Sequence, residues 1–325
     1  MDLTLDDGQR ALQEELRRFL ANEMGPERRR TMTTEPGGVD RAFWLQLAQM
    51  GVFGLCVPEA EGGVGLGIDD ATIVFEELGQ ALVPGPLVAT FLAAGWVYGA
   101  ADGTTVVGAA ERGSADVVVE HLDALDRIIW IGDPSSVTRA PAGRPIARPL
   151  DPMTPVHHVR AADIADGDAI EPARLVGFRR DSALLAAAFQ VGIAQTAVDL
   201  ANDYAKSRAQ FGRAIGSFQA LKHLLADAAV ATDVARAGVH AAAVAINEHE
   251  GDDDEGLAHL CVLAAGARIV ASRAAHLAAT TCIQVHGGMG YTWEVEAHLL
   301  LKRSMVLDQS PGGIEWAERT VEGSL

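Results

Sequence analysis

Apolar positions along the chain follow three rhythms. Up to about residue 100 they return every three or four residues: Leu12, Leu16 and Leu20 stand between charged neighbours, and Phe43, Leu47 and Met50 repeat the spacing until Gly51 stops it. Such a stripe predicts helices with one buried face. Asp69 and Asp70 precede ATIVFEELGQAL and predict a capped helix start, because carboxylates favour the positive helix N-terminus. From about 103 to 178 the helical period disappears. TTVVGAA, ADVVVEH, RIIWIGD and PVHHV are short β-branched runs separated by Gly, Pro and Asp, as turns between strands require. From about 180 the helical period returns more strongly.

In that last zone Phe218, Leu221, Leu225, Ala228, Thr232, Ala235, Val239 and Ala242 share one face of a helix about thirty residues long. Thr232 is the one polar member, and its hydroxyl is expected to bond back to the carbonyl one turn earlier. A second long helix is expected over about Leu257 to Cys282, and GDDDEG between the two is too polar to bury. Helices joined this way pair antiparallel in a bundle. The expected architecture is therefore mostly α with a small β domain: an N-terminal helical domain over 1–102, a reduced β domain over 103–178, and a C-terminal four-helix bundle over 179–325.

Composition agrees: 49% of residues are hydrophobic and only 5% aromatic, too few rings to fill a barrel. The 26 Lys and Arg against 44 Asp and Glu leave a formal charge of −18, which repels nucleic-acid backbones and anionic lipid surfaces. Cys56, Cys261 and Cys282 are odd in number and not paired by spacing, so neither a disulfide framework nor a metal site is expected. The N-terminus is acidic before it is apolar, unlike a signal peptide. No membrane-spanning window of about 18 uncharged apolar residues is expected, the nearest candidate being Phe91 to Ala100, broken by Gly95 and Gly99. The reading is a cytoplasmic protein with no membrane insertion.

Two segments carry candidate chemistry. In the first, Tyr204 to Gln219, Arg208, Gln210 and Phe211 lie beside Gly212, which is read as ending a helix, and Phe218–Gln219 open the next. An arginine there presents a planar donor fork to a pyrophosphate and Phe211 a ring face to a base. The bland alternative is a dipole-neutralising Arg and a core Phe. In the second, Gln284-Val-His286-Gly287-Gly288-Met-Gly290, the glycines let a backbone approach a ligand or another chain, or simply cap a helix. The segment lacks dinucleotide-fold spacing and follows no strand.

Together, at this spacing, the segments resemble the acyl-CoA dehydrogenase family of flavoproteins. The stretches 51–79, with Val57-Pro58-Glu59 and Phe75-Glu76-Glu77-Leu78-Gly79, and Leu150-Asp151-Pro152 to Val156 extend the resemblance to about four-fifths of the chain. It implies an FAD site shared between subunits. Arg208, Gln210, Phe211, Phe218, Gln219, Gln284, Gly287 and Gly288 would hold the adenine and diphosphate end. In the family a glutamate removes the acyl α-proton while hydride leaves the β-carbon for the flavin. Counted from Gly288, that glutamate's position is Pro311; the family's alternative position, counted back from Arg208, is Ser182, next to Ala183. Neither can accept a proton. Asp308 and Glu315 flank the first position as weak substitutes. The strand motifs that contact the flavin ring in the family are faint here, with Ser114 and Trp130 as candidate remnants. His157–His158 are read as surface and packing residues, His286 as a candidate contact to cofactor or partner, and Glu294 and Glu296 as helix-start acids.

The resemblance thus implies an FAD-binding, non-catalytic subunit of a heteromeric acyl-CoA dehydrogenase. Its partner would be a second family member in an α2β2 assembly that holds most of the acyl-CoA, supplies the base and passes electrons to an acceptor. Hetero-oligomers of this kind, with one short degenerate subunit, resemble actinobacterial enzymes acting on steroid side-chain CoA thioesters. The alternatives are a self-sufficient homo-oligomer with a displaced base, and a flavin-free interaction subunit.

Overall fold

The computed structural model describes residues 4–34, 39–112, 115–249, 251 and 253–324. Five helices come first: α1 (Asp7–Glu23), α2 (Pro26–Thr34), α3 (Arg41–Gln49), α4 (Ile68–Gln80) and α5 (Leu87–Ala93). The expected stripes are the buried ones, Leu16 and Leu20 in α1 and Phe43, Trp44 and Leu47 in α3. Gly51 does stop the third helix, at a left-handed φ of +81°. The fourth begins at Ile68, one residue before Asp69, with the Asp70 carboxylate accepting from Gly67 N at 3.1 Å.

The middle zone builds two small sheets from β1 (Val107–Glu111), β2 (Val117–Glu120), β3 (Arg127–Ile131), β4 (Ser136–Arg139), β5 (Arg144–Pro145), β6 (Val156–Val159) and β7 (Asp168–Ala169). The orders are β1-β3-β4-β7 and β2-β6-β5, with β1 and β3 parallel. β3 is buried on both faces, as a parallel-paired strand requires: Ile128 and Trp130 join the main core, while Ile129 and Ile131 pack with Ala93 and Phe178. Thr90 Oγ1 bonds both Val107 N and Val107 O at 3.0 Å, tying α5 to β1.

The third zone opens with α6 (Pro172–Ser207), a few residues before the expected domain boundary. A hairpin, β8 (Ala209–Gln210) and β9 (Arg213–Ala214), leads into α7 (Gln219–Asn247), α8 (Asp254–His286), α9 (Ala297–Leu307) and α10 (Ile314–Glu322). Asp253, from the polar connector, caps α8 by accepting from Gly256 N at 2.7 Å. The buried face of α7 is the expected one, and Thr232 Oγ1 donates to Ala228 O at 2.8 Å.

The long apolar stretches need a correction. Pro172–Ser207, Gln219–Asn247 and Asp254–Tyr291 are each long and apolar enough to cross a membrane by length and composition. Alanine-rich runs such as Ala183–Val198 carry no charge. In the fold they serve as bundle helices, with 72%, 28% and 50% of their most apolar windows buried. α6 crosses α4 with backbones nearly touching: a Cβ on Gly192 would lie 2.0 Å from Glu76 O, and one on Gly79 2.1 Å from Phe189 O. Only glycine allows that approach. The acids beside the crossing are buried but paired across helices, Glu77 with Arg17 at 2.6 Å and Glu76 with Arg236 at 2.9 Å.

Candidate functional site

The α6 and α8 C-termini share one end of the bundle, bringing the two sequence-predicted segments together. Tyr204, four residues before Arg208, stacks on His286 with ring centres 4.2 Å apart, and its hydroxyl reaches Met289 Sδ at 3.7 Å. Gly212 does not end a helix, as the sequence suggested; α6 stops at Ser207. Phe211 and Gly212 instead turn the β8–β9 hairpin at φ +54° and +78°, the pair of left-handed residues that suits a two-residue hairpin turn. This places Phe211 on a tip, 90% exposed, edge-on to Phe218 at 6.1 Å. Arg208, Gln210, Gln219 and Gln284 are exposed, and a Cβ on Gly287 or Gly288 would meet nothing within 4 Å. Phe218 is half-buried beneath Arg213, whose guanidinium lies 4.0 Å from its ring centre. The set is an open shelf of a cation, amides and a ring. These groups fit the diphosphate and adenine of FAD.

The flavin-ring end is different. Trp130 is fully buried and donates to Thr138 Oγ1 at 3.0 Å, so it is a core residue and not a remnant flavin contact. Ser114 lies outside the described residues. His286 is also a packing residue: it is 6% exposed, with Nδ1 2.8 Å from Cys282 O. His157 is buried against Asp123 at 3.0 Å and His158 is half-buried, as expected of alternating faces. Glu296 begins α9 and pairs with Arg29 at 2.7 Å.

Ser182 and Pro311 converge on one pocket, lined by the loop into α5, the middle of β1, the end of β2, and helices α6 and α9. Gly312, at φ +71°, brings the turn so close to α6 that a Cβ there would lie 2.8 Å from Ala183 N. Neither suggested substitute base lines this pocket. Asp308 is committed to a buried cluster, accepting from Gln190 Nε2 at 2.9 Å and Ser272 Oγ at 3.1 Å, with His276 Nε2 at 3.1 Å. Burial alone would raise its pKa, but His276, Arg268, Gln190 and Ser272 outweigh that and hold it below the usual range. Glu315 is exposed and paired with Arg319. Both corrections have one cause: these carboxylates already have partners elsewhere.

The acid that does line the pocket is Glu120, half-buried at the end of β2, which the sequence did not single out. Burial pushes its carboxyl up to about 7, opposed by Arg303 and reinforced by Asp151. His121 follows at φ +54°, and burial and Arg303 drop it to about 3, leaving it neutral. Arg303 forms a buried ion pair with Asp151 and donates to Val83 O at 3.0 Å. Asp151 also accepts from Met153 N at 3.0 Å and Thr154 Oγ1 at 2.9 Å. Burial would raise its pKa, yet Arg303 and these bonds hold it below the usual range. The cysteines are free, and burial raises Cys56 and Cys282 to about 12, so neither offers a thiolate. Among the described residues no group of three or more His, Cys, Asp or Glu could hold a metal ion.

Comparison with known proteins gives this geometry its context. The acyl-CoA dehydrogenase N-terminal domain family matches residues 6–102, and the C-terminal domain family matches residues 180–322. Acyl-CoA dehydrogenase IpdE2 of Mycobacterium tuberculosis is 34% identical over 312 residues, 93% of this chain and 92% of that protein. The fold is similar to the ChsE4-ChsE5 complex from the same organism, at TM-score 0.83 and 22% identity over 100% of this chain and 98% of that one. It is equally similar to the Tcur3481-Tcur3483 steroid ACAD G363A variant, at TM-score 0.83 and 22% identity over 98% of each chain. With both of its helical domains matched and a relative aligned almost end to end, the chain belongs to the acyl-CoA dehydrogenase family.

Proposed function

We propose that this chain is the FAD-clamping, non-catalytic subunit of a heteromeric acyl-CoA dehydrogenase. The observation that carries the reading is the meeting of Ser182 and Pro311 in one pocket. Both family base positions face the same space, and neither side chain accepts a proton. Arg208, Gln210, Phe211, Phe218, Gln219, Gln284 and Gly287–Gly288 would hold the ADP half of FAD, Arg208 at the diphosphate and Phe211 against the adenine. FAD, when bound, supplies the hydride acceptor. A family partner, in an α2β2 assembly, would provide the base, the ring contacts and most of the acyl-CoA site, and an external acceptor would take the electrons. Similarity to IpdE2, to a ChsE4-ChsE5 complex and to a steroid ACAD supports a steroid-type acyl-CoA substrate. Three unpaired cysteines accord with a reducing cytoplasm.

The test is purification of the chain alone and co-expressed with a candidate partner, reading flavin absorbance and dye-coupled acyl-CoA oxidation. A colourless, inactive chain that yields a yellow, active complex supports the proposal. A yellow, active chain alone overturns it.

Glu120 supports a second reading, a self-sufficient enzyme whose base has moved to β2. A carboxyl near neutrality inside the pocket has the acidity a general base needs. That reading requires activity in the chain alone, abolished by Glu120→Gln. A complex that stays colourless would instead indicate a flavin-free structural subunit.

A further inference from the structure

The pocket around Ser182 and Pro311 has not collapsed into packing. Three of its lining residues carry a buried polar atom with no protein hydrogen-bond partner among the described residues: Ser182 Oγ, His121 Nδ1 and Arg303 Nη2. These residues are only 2%, 3% and 4% exposed. Leaving such groups unpaired is costly, so three in one pocket call for a polar partner, an ordered water or the polar group of a ligand. The remaining wall is largely apolar, from Leu87 and Val88 through Phe178 and Phe189 to Leu307.

Charge narrows the class of ligand. The Arg303 cation is already matched by Asp151, with Nε and Nη1 each engaged and Nη2 without a partner among the described residues. Glu120, in the same pocket, becomes negative above neutrality. An anionic ligand would meet two carboxylates around one arginine, whereas an uncharged oxygen acceptor would satisfy the free donor at no charge cost.

We propose that this pocket binds an uncharged, largely apolar molecule bearing a ketone-type carbonyl, whose oxygen accepts from Arg303 Nη2, with Ser182 and His121 as further polar contacts. The inference is independent of the shared-flavin reading, since every contact comes from this chain.

The test is a methyl-resolved NMR titration of the full chain with cyclohexanone, methylcyclohexane and cyclohexanecarboxylate. Saturable shifts at the Leu87, Val88 and Leu307 methyls are expected with cyclohexanone. Methylcyclohexane should bind about tenfold more weakly, the value of one lost hydrogen bond to a charged donor, and the carboxylate more weakly than the ketone. Ser182→Ala should weaken the ketone severalfold and leave methylcyclohexane unchanged. No shifts with any probe, equal affinity for ketone and hydrocarbon, or tighter binding of the carboxylate would each overturn the proposal. Should Ser182→Ala disturb the fold, the ranking of the three probes on the unaltered chain decides alone.

Discussion

The shelf at the end of α6 and α8 and the pocket beneath α5 are both candidate ligand sites, yet they stand differently toward water. On the shelf Arg208, Gln210, Gln219 and Gln284 are exposed, and Phe211 is 90% so. In the pocket Arg303, His121 and Ser182 are under 5% exposed. Groups on a shelf can be exchanged at little cost to folding. Groups in the pocket are coupled to the core, and their removal is felt by the whole molecule.

The sharpest way to break this contrast is a pair of arginine replacements. Arg303→Ala leaves Asp151 buried without its cation and should cost about 3–5 kcal/mol in urea unfolding. Arg208→Ala should shift stability by less than about 0.5 kcal/mol, while weakening FAD retention in the assembled protein about tenfold or more. Equal unfolding losses for the two would erase the distinction.

Two carboxylates sharpen it through pH, with opposite signs. Glu120 titrates near 7 instead of 4.5, so its ionisation disfavours the fold. The stability it allows is fully present below about pH 4.5 and lost as pH rises through 7. Glu120→Gln should therefore be more stable than the parent by about 1–2 kcal/mol at pH 8, the two curves meeting below pH 4.5. Asp308 is held below its ordinary value of 3.8 and favours the fold above it. Asp308→Asn should lose about 1–2 kcal/mol at pH 7, a gap that closes as acid titrates the parent. The smallest effect belongs to the shelf. Phe211 holds φ +54° at an exposed tip, so Phe211→Gly should be neutral or gain up to about 1 kcal/mol by denaturant midpoint.

What the sequence revealed follows the same division. Stripes such as Leu16–Leu20 and Ala228–Thr232–Ala235 predicted buried faces because periodicity is a local property. The shelf was legible because its residues cluster in two short segments. The pocket was legible only in part: the resemblance marks Ser182 and Pro311, but Glu120 and Arg303 go unmarked, because residues scattered over nearly two hundred positions are joined only by tertiary packing. Asp308 read as a spare base for the converse reason, since nothing local shows that Gln190 and Ser272 already hold it. Gly212 misleads because a two-residue hairpin and a helix cap both use left-handed glycine.

The glycine crossing of α4 and α6 bears on how the molecule comes apart. Gly79 and Gly192 set main chain against main chain, and side chains of both helices share one core around the crossing. The N-terminal helices and the bundle should therefore melt in one calorimetric transition, and limited proteolysis should release neither as a durable fragment. The stretches 6–102 and 180–322 match two separate domain families, but in this protein they are expected to unfold as a single unit.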